Sequence, residues 1–131
     1  MIVGLGMDLV DVARVQALVA RHGARARSRL FTAAEVAYAE RRPVPARHYA
    51  ARFAAKEAAF KALAGSPLAR RVGWQDVEVV NDADGRPTLR FHGPAADRAA
   101  ELGVARAWVT LTHTDTAAAA TVVLERLDSA P

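Results

Sequence analysis

The chain contains no cysteine, which excludes disulfides, thiolate metal ligands and cysteine nucleophiles and leaves any chemistry to other side chains. It also lacks an apolar run long enough to cross a bilayer. The opening Met1-Ile2-Val3-Gly4-Leu5-Gly6-Met7-Asp8 has neither the charged n-region nor the long apolar core of a secretory signal, so a cytoplasmic protein with no membrane partner is expected. There is no serine elbow, no histidine pair at metal-ligand spacing and no P-loop. Gly4-Leu5-Gly6 lacks the third glycine and the following helix of a dinucleotide fingerprint. Aromatic residues make up only 6% of the chain and fall mostly at apolar-periodic positions, Phe53, Phe60 and Trp108 among them. That pattern disfavours a nucleic-acid-binding module, which needs surface aromatics interleaved with basic residues.

What is present is a chain of 131 residues, 52% of them hydrophobic, which is the size of one domain spanning 1–131 and enough for a real core. A formal net charge of +4 points to anionic partners: nucleic acid, a phosphorylated small molecule or an acidic protein. Most of the basic residues are arginine, a usage that a high-GC genome also produces, so their placement tells more than their number.

Hydrophobic periodicity divides the chain into alternating elements. Ile2 to Leu5 reads as a short buried strand whose end delivers Asp8 to the surface, and Asp11 as the cap of a helix from Val12 to about His22, stopped by Gly23. Thr32-Ala33-Ala34-Glu35 is a capping box flanked by Phe31 and Val36 at hydrophobic-staple spacing, so a second helix begins near Ala33. Arg41-Arg42-Pro43-Val44-Pro45 breaks it, and a longer helix runs from about Ala46 to Ala64. Val77–Val80 and Pro87–Phe91 form a hairpin around Asn81-Asp82-Ala83-Asp84-Gly85; Pro94 to Leu102 is a helix stopped by Gly103; Ala107–Thr112 and Ala117–Leu124 form a second hairpin; and 126–131 is a loose tail. Strand, three helices, hairpin, helix, hairpin is an α+β order with a largely antiparallel sheet packed with helices.

Arg52-Phe53-Ala54-Ala55-Lys56-Glu57-Ala58-Ala59-Phe60-Lys61 places charges inside an apolar helical pattern. Tyr49, Phe53, Phe60 and Leu63 form one stripe, with Lys56 in its middle and Glu57 and Lys61 on the neighbouring face. An ammonium there must snorkel, pair or meet an anion. Asp8 and Glu57 are the carboxylates that stand out. A sparse pair of this kind suits Mg²⁺, which completes its shell with waters and phosphate oxygens. Arg52, Lys56, Lys61 and His113 supply donors for phosphates. Arg14 and Arg21 share a helix face with Leu18, with Arg25 close behind. A plain solvated face is the alternative to a functional one.

Three motifs in order resemble the holo-acyl-carrier-protein synthases, the short 4′-phosphopantetheinyl transferases. Val3-Gly4-Leu5-Gly6-Met7-Asp8-Leu9-Val10-Asp11 is similar to the family's first strand and acidic motif. Arg52 to Ala58 with Lys61 is similar to its central helix, and Thr112-His113-Thr114 to its Ser-His-Thr element. The resemblance implies Mg²⁺-dependent transfer of 4′-phosphopantetheine from coenzyme A to a serine of an apo-acyl carrier protein in fatty-acid or polyketide synthesis, releasing adenosine 3′,5′-bisphosphate. In that picture Asp8 and Glu57 hold the metal and carry catalysis, and Glu57 or a metal-bound water takes the serine proton. Lys61 steadies the phosphates, Arg52, Thr112 and His113 bind the coenzyme, and Lys56 either joins them or pairs within the core. Arg14, Leu18, Arg21 and Arg25 dock the acidic carrier protein. Family likeness further implies a homotrimer with sites between subunits, Asp8 and Glu57 from one protomer and Thr112 and His113 from its neighbour. The chain departs from the family at Thr112, where serine is usual, at Met7, and at Ala64-Gly65-Ser66-Pro67-Leu68, which replaces a glycine-rich loop. An inactive carrier-binding relative is the third reading that such a loop leaves open.

Overall fold

A computed structural model of the protein describes residues 1–128. In chain order the elements are β1 (Ile2–Asp11), α1 (Val12–Leu30), α2 (Ala33–Glu40), α3 (Pro45–Leu63), two short 3₁₀ turns (Leu68–Arg71 and Trp74–Asp76), β2 (Val77–Asn81), β3 (Pro87–Phe91), α4 (Gly93–Leu102), β4 (Arg106–His113) and β5 (Ala117–Glu125). β1, β5 and β4 form an antiparallel sheet in that order, and β2 and β3 pair as an antiparallel hairpin. The expected α+β order and antiparallel pairing are both present.

α3 is the axis of the core. It packs along β1 and β5 on one side and meets α1, α2 and β2 on others. Its sheet-facing positions Ala54, Ala55, Ala58 and Ala59 have no exposed surface, and Ala118 and Ala120 of β5 lie opposite, so small side chains bring helix and sheet close together. The large side chains fill the far side of the helix. Phe31 and Tyr49 pack with ring centroids 4.9 Å apart, and Phe53 stacks on Trp74 at 5.0 Å. Burying each such side chain contributes about 1.5–3 kcal/mol.

Three expectations from the sequence need correction. β1 does not end near Leu5 but continues to Asp11, because its second half pairs with Ala117–Ala120 of β5; Asp8 therefore sits within a strand, half-buried, rather than on a loop. Gly23 ends the first helical segment at 22 as read, taking φ 55° and ψ −131° outside the helical region, and a second segment, 24–30, follows beyond the kink. Asp11 precedes α1 without donating a side-chain cap; the Val12 amide is instead satisfied by the Thr116 carbonyl at 2.9 Å. In the tail, Arg126 exchanges two backbone hydrogen bonds with Met1, both 2.8 Å, and Asp128 pairs with the terminal ammonium, so 126–128 are tied down. Residues 129–131 lie outside the described residues.

The capping box forms as read: Thr32 accepts from the Glu35 amide at 3.3 Å, and Glu35 accepts from the Thr32 amide at 2.9 Å.

Candidate active site

The site begins with two glycines. A Cβ on Gly6 would lie 1.8 Å from the Ala58 carbonyl oxygen, and one on Gly4 would lie 2.3 Å from that of Ala62. Only hydrogen fits at either position, so β1 runs directly against the backbone of α3. Gly4, Gly6 and Asp8 face the same way by strand alternation. The contact made by the glycines therefore carries Asp8 to the helix surface where Glu57 and Lys61 stand.

Lys61 Nζ donates to Asp8 Oδ1 at 3.2 Å and to the Met7 carbonyl at 2.9 Å. Glu57 is pushed above the usual carboxylate range, first by burial and then by the charge of Asp8; Lys61 and Arg14 pull the other way. Two carboxylates and an ammonium thus share one half-open surface at the crossing of β1 and α3. Among the described residues no group of three or more His, Cys, Asp or Glu side chains is placed to hold a metal. A two-carboxylate donor set fits a hard cation that keeps waters and takes phosphate oxygens, and does not fit zinc.

Lys56 points the other way. Its side chain is fully buried and pairs with Glu35 Oε1 at 2.8 Å, while Nζ also donates to the Trp74 carbonyl at 2.8 Å and the Val77 carbonyl at 2.5 Å. All three ammonium hydrogens have partners inside the chain, so of the two roles open to Lys56 the structure shows the pairing within the core and not the coenzyme contact. Burial lowers its proton affinity, and Glu35 opposes that. Glu35 completes the lattice by accepting from the Val79 amide at 3.0 Å. Removing one member of such a buried pair costs about 3–5 kcal/mol, because the other is left charged without a partner. The lattice joins α2, α3 and β2, and it fixes the rotation of α3 one residue before Glu57.

Arg52 and His113 converge on a second cluster. Arg52 is 3% exposed, donates from Nη2 to Asn81 Oδ1 at 2.7 Å and lies with its guanidinium carbon 4.0 Å above the Tyr38 ring; its buried Nε has no partner among the described residues. Arg42 lies 4.1 Å from the same ring. His48 meets Tyr38 edge-on at 5.8 Å and His113 at 5.5 Å, while Arg47 pairs with Asp115 at 2.6 Å. His48 is held below its ordinary 6.5, by burial first and then by His113, Arg52, Arg42 and Arg47. Thr112 does not join this cluster. It alternates with His113 along β4, pairs with Ala119, and belongs to the outer face of the sheet.

α1 borders the first cluster. Arg14, Leu18 and Arg21 line a groove of about 260 Å³ with Val10, His22 and Phe53. Leu18, Arg25 and Arg29 line a second groove of about 440 Å³ with Phe53 and Trp74. The two grooves meet at Leu18, His22 and Phe53, and Arg14 reaches far enough to act on the charge of Glu57. The basic face thus lies near enough to the carboxylate pair for Arg14 to act on its charge.

The loop after α3 is folded. Arg98 of α4, 7% exposed, donates to the Leu63 carbonyl at 2.7 Å and the Ala64 carbonyl at 2.9 Å and pairs with Glu101, satisfying the free carbonyls at the helix end. The sequence reading did not foresee Arg98, Tyr38, His48, Arg42, Arg47 or Asn81. The spacing of Arg42, Arg47 and Arg52, at five-residue steps across a helix break, carries no recognisable period.

Paired carboxylates beside a lysine, with the buried Arg52 and the neighbouring His48 earlier on the same helix and His113 against them from β4, form a donor set that suits an anionic phosphate ligand on an α+β scaffold. Residues 4–122 match the family model of the 4′-phosphopantetheinyl transferase superfamily, and the chain belongs to that family. It is 52% identical over 128 residues to a protein of Anaeromyxobacter dehalogenans named holo-[acyl-carrier-protein] synthase, covering 95% of this chain and 97% of the relative. Among solved structures, the holo-[acyl-carrier-protein] synthase of Neisseria meningitidis superposes with a TM-score of 0.83 at 26% identity, covering 96% of this chain and all of the other. A holo-(acyl-carrier-protein) synthase of Bacillus anthracis, in complex with CoA (3′,5′-ADP), superposes with a TM-score of 0.76 at 29% identity, covering 97% and 99% of the two chains.

Proposed function

We propose that this chain transfers the 4′-phosphopantetheine group of coenzyme A to a serine hydroxyl of an apo-acyl carrier protein, with Mg²⁺ held by Asp8 and Glu57. The observation that carries the reading is the meeting of Asp8, Glu57 and Lys61 at the crossing of β1 and α3, in a chain whose relatives bear the corresponding name.

In this reading the serine oxygen attacks the β-phosphorus of the coenzyme pyrophosphate, the bond from that phosphorus to the bridging oxygen breaks, and adenosine 3′,5′-bisphosphate departs. Held by Asp8 and Glu57, a hard cation would supply positive charge to the pyrophosphate. Glu57 would hold the cation together with Asp8, and its half-buried carboxylate is the group of this chain placed to take the serine proton. Lys61 places an ammonium where charge grows on the departing phosphate. Arg52 and His113 take the adenosine 3′-phosphate end, and Arg14, Leu18, Arg21 and Arg25 form the docking face for an acidic carrier.

The outer face of the sheet supports assembly. Leu5, Met7 and Leu9 of β1 are 65%, 63% and 68% exposed and align across the sheet with Val123, Thr121 and Ala119 of β5, then with Trp108, Thr110 and Thr112 of β4. A row of exposed Leu5, Met7, Leu9 and Trp108 side chains on one sheet face suits the homotrimer the family likeness implies. Burial of this face would also bring Thr112 to a subunit boundary. No described helix is long and apolar enough to cross a membrane, and a cytoplasmic location agrees with a carrier-protein substrate.

The test is an intact-mass measurement on an apo-acyl carrier protein incubated with the chain, coenzyme A and Mg²⁺. The expected result is a gain of one 4′-phosphopantetheine. Unmodified protein across fatty-acid and polyketide carriers would overturn the reading.

A further inference from the structure

Tyr38 stands at the centre of the second cluster, yet nothing in the transfer chemistry calls for it. Its ring carries two guanidiniums, Arg52 at 4.0 Å and Arg42 at 4.1 Å from the centroid, and meets the ring of His48 at 5.8 Å. Around it are Arg42, Arg47, Arg52, His48 and His113, and the carboxylate paired with them is Asp115, on Arg47. Cations gather this densely only where something offsets their repulsion. An aromatic face offsets part of it, about 0.5–2 kcal/mol for each cation it carries. The buried Arg52 Nε, without a partner among the described residues, leaves a donor in the same place.

Arg52 cannot aim itself. Asn81 holds one end of the guanidinium through Nη2, and the ring of Tyr38 fixes its plane. The same ring holds Arg42, which comes from the exposed break between α2 and α3 and has no hydrogen bond from its side chain to another residue among those described. Two guanidiniums kept on one ring form a preorganised pair, and a phosphate monoester is the dianion that such a pair recognises best.

We propose that Tyr38 is a positioning residue for phosphomonoester recognition: its ring holds Arg42 and Arg52 in the geometry that selects the 3′-phosphate of the coenzyme. The inference rests on the transferase reading for the identity of the ligand, and on the ring and its two guanidiniums for the role. Tyr38 acts through the arginines and touches no reacting atom.

The experiment measures kcat and KM of the full chain for coenzyme A and for 3′-dephospho-coenzyme A, which lacks the phosphomonoester. Tyr38→Leu is expected to raise KM for coenzyme A about tenfold, leave kcat unchanged, and leave KM for the dephospho form near its starting value. Tyr38→Phe, which keeps the ring, is expected to restore the original KM. Equal rises in KM for both substrates, or a phenylalanine variant as poor as the leucine one, would overturn the proposal. If the leucine variant does not fold, Tyr38→Met, which fills similar space without a ring, takes its place. If the unmodified chain transfers nothing, the transferase reading fails by itself. Calorimetry with adenosine 3′,5′-bisphosphate and adenosine 5′-monophosphate then decides the Tyr38 claim: selective loss of the bisphosphate in Tyr38→Leu sustains it, and equal binding of both nucleotides by the unmodified chain refutes it.

Discussion

Gly6 of β1 lies directly beneath Ala58 of α3, so close that a methyl group on the glycine would sit 1.8 Å from the alanine carbonyl oxygen. This contact sets the distance between the strand that carries Asp8 and the helix that carries Glu57. Gly6→Ala forces strand and helix apart. The expected loss is about 1–3 kcal/mol of stability, as for overpacking elsewhere, together with a larger loss of turnover because Asp8 and Glu57 are moved apart. Thermal unfolding and steady-state kinetics on the same variant check it; an alanine variant with full activity would show that the spacing is not needed.

His48 provides a test by pH. The fold holds its imidazole below 6.5, while the unfolded chain takes up a proton at the ordinary value. As pH falls through 6.5, the unfolded state binds a proton that the folded state refuses, so stability declines; above that value both states are neutral and the effect vanishes. His48→Phe removes this dependence. Melting temperatures compared between pH 8 and pH 5 should fall less in the variant than in the unmodified protein, about those pH values as reference points. Parallel declines would mean that His48 is not the group concerned.

The exposed row Leu5, Met7 and Leu9 gives a prediction about assembly. Met7→Glu places a carboxylate in the centre of the outer sheet face, where burial against another subunit would leave it unpaired. Sedimentation should show a trimer for the unmodified chain and a monomer for the variant. A monomeric unmodified chain would remove the homotrimer from the account.

The α1 face is tested by charge reversal. Arg14→Glu combined with Arg21→Glu should weaken carrier-protein binding and flatten its dependence on salt, while coenzyme A affinity stays within about twofold. Unchanged carrier binding would show that the arginines are an ordinary solvated face.

Much of the fold is legible in the sequence because its signals are local. The capping box at Thr32 and Glu35, the turn at Asn81 to Gly85, the stop at Gly103 and the apolar stripe through Tyr49 and Phe53 each depend on residues a few positions apart. The proximity of Asp8, Glu57 and Lys61 agrees with the motif reading. What local patterns do not carry is contact between distant segments. Gly4 and Gly6 look like a failed nucleotide motif until Ala58 and Ala62 are seen above them. Glu35 looks like a cap until Lys56 reaches it from another helix. Lys56 shows why residue type alone misleads: a lysine within the charged stretch of α3 serves the core, and its direction is set by a partner 21 positions away, at the Val77 carbonyl.

The central claim is that the Asp8 and Glu57 carboxylates together carry the transfer. Its most direct test is the rate of mass gain by an apo-acyl carrier protein, with coenzyme A and Mg²⁺ saturating, for the unmodified chain and for Asp8→Asn and Glu57→Gln, each first shown by circular dichroism to be folded. The account predicts that both variants lose transfer by about a hundredfold or more. Either variant working at the full rate would contradict it.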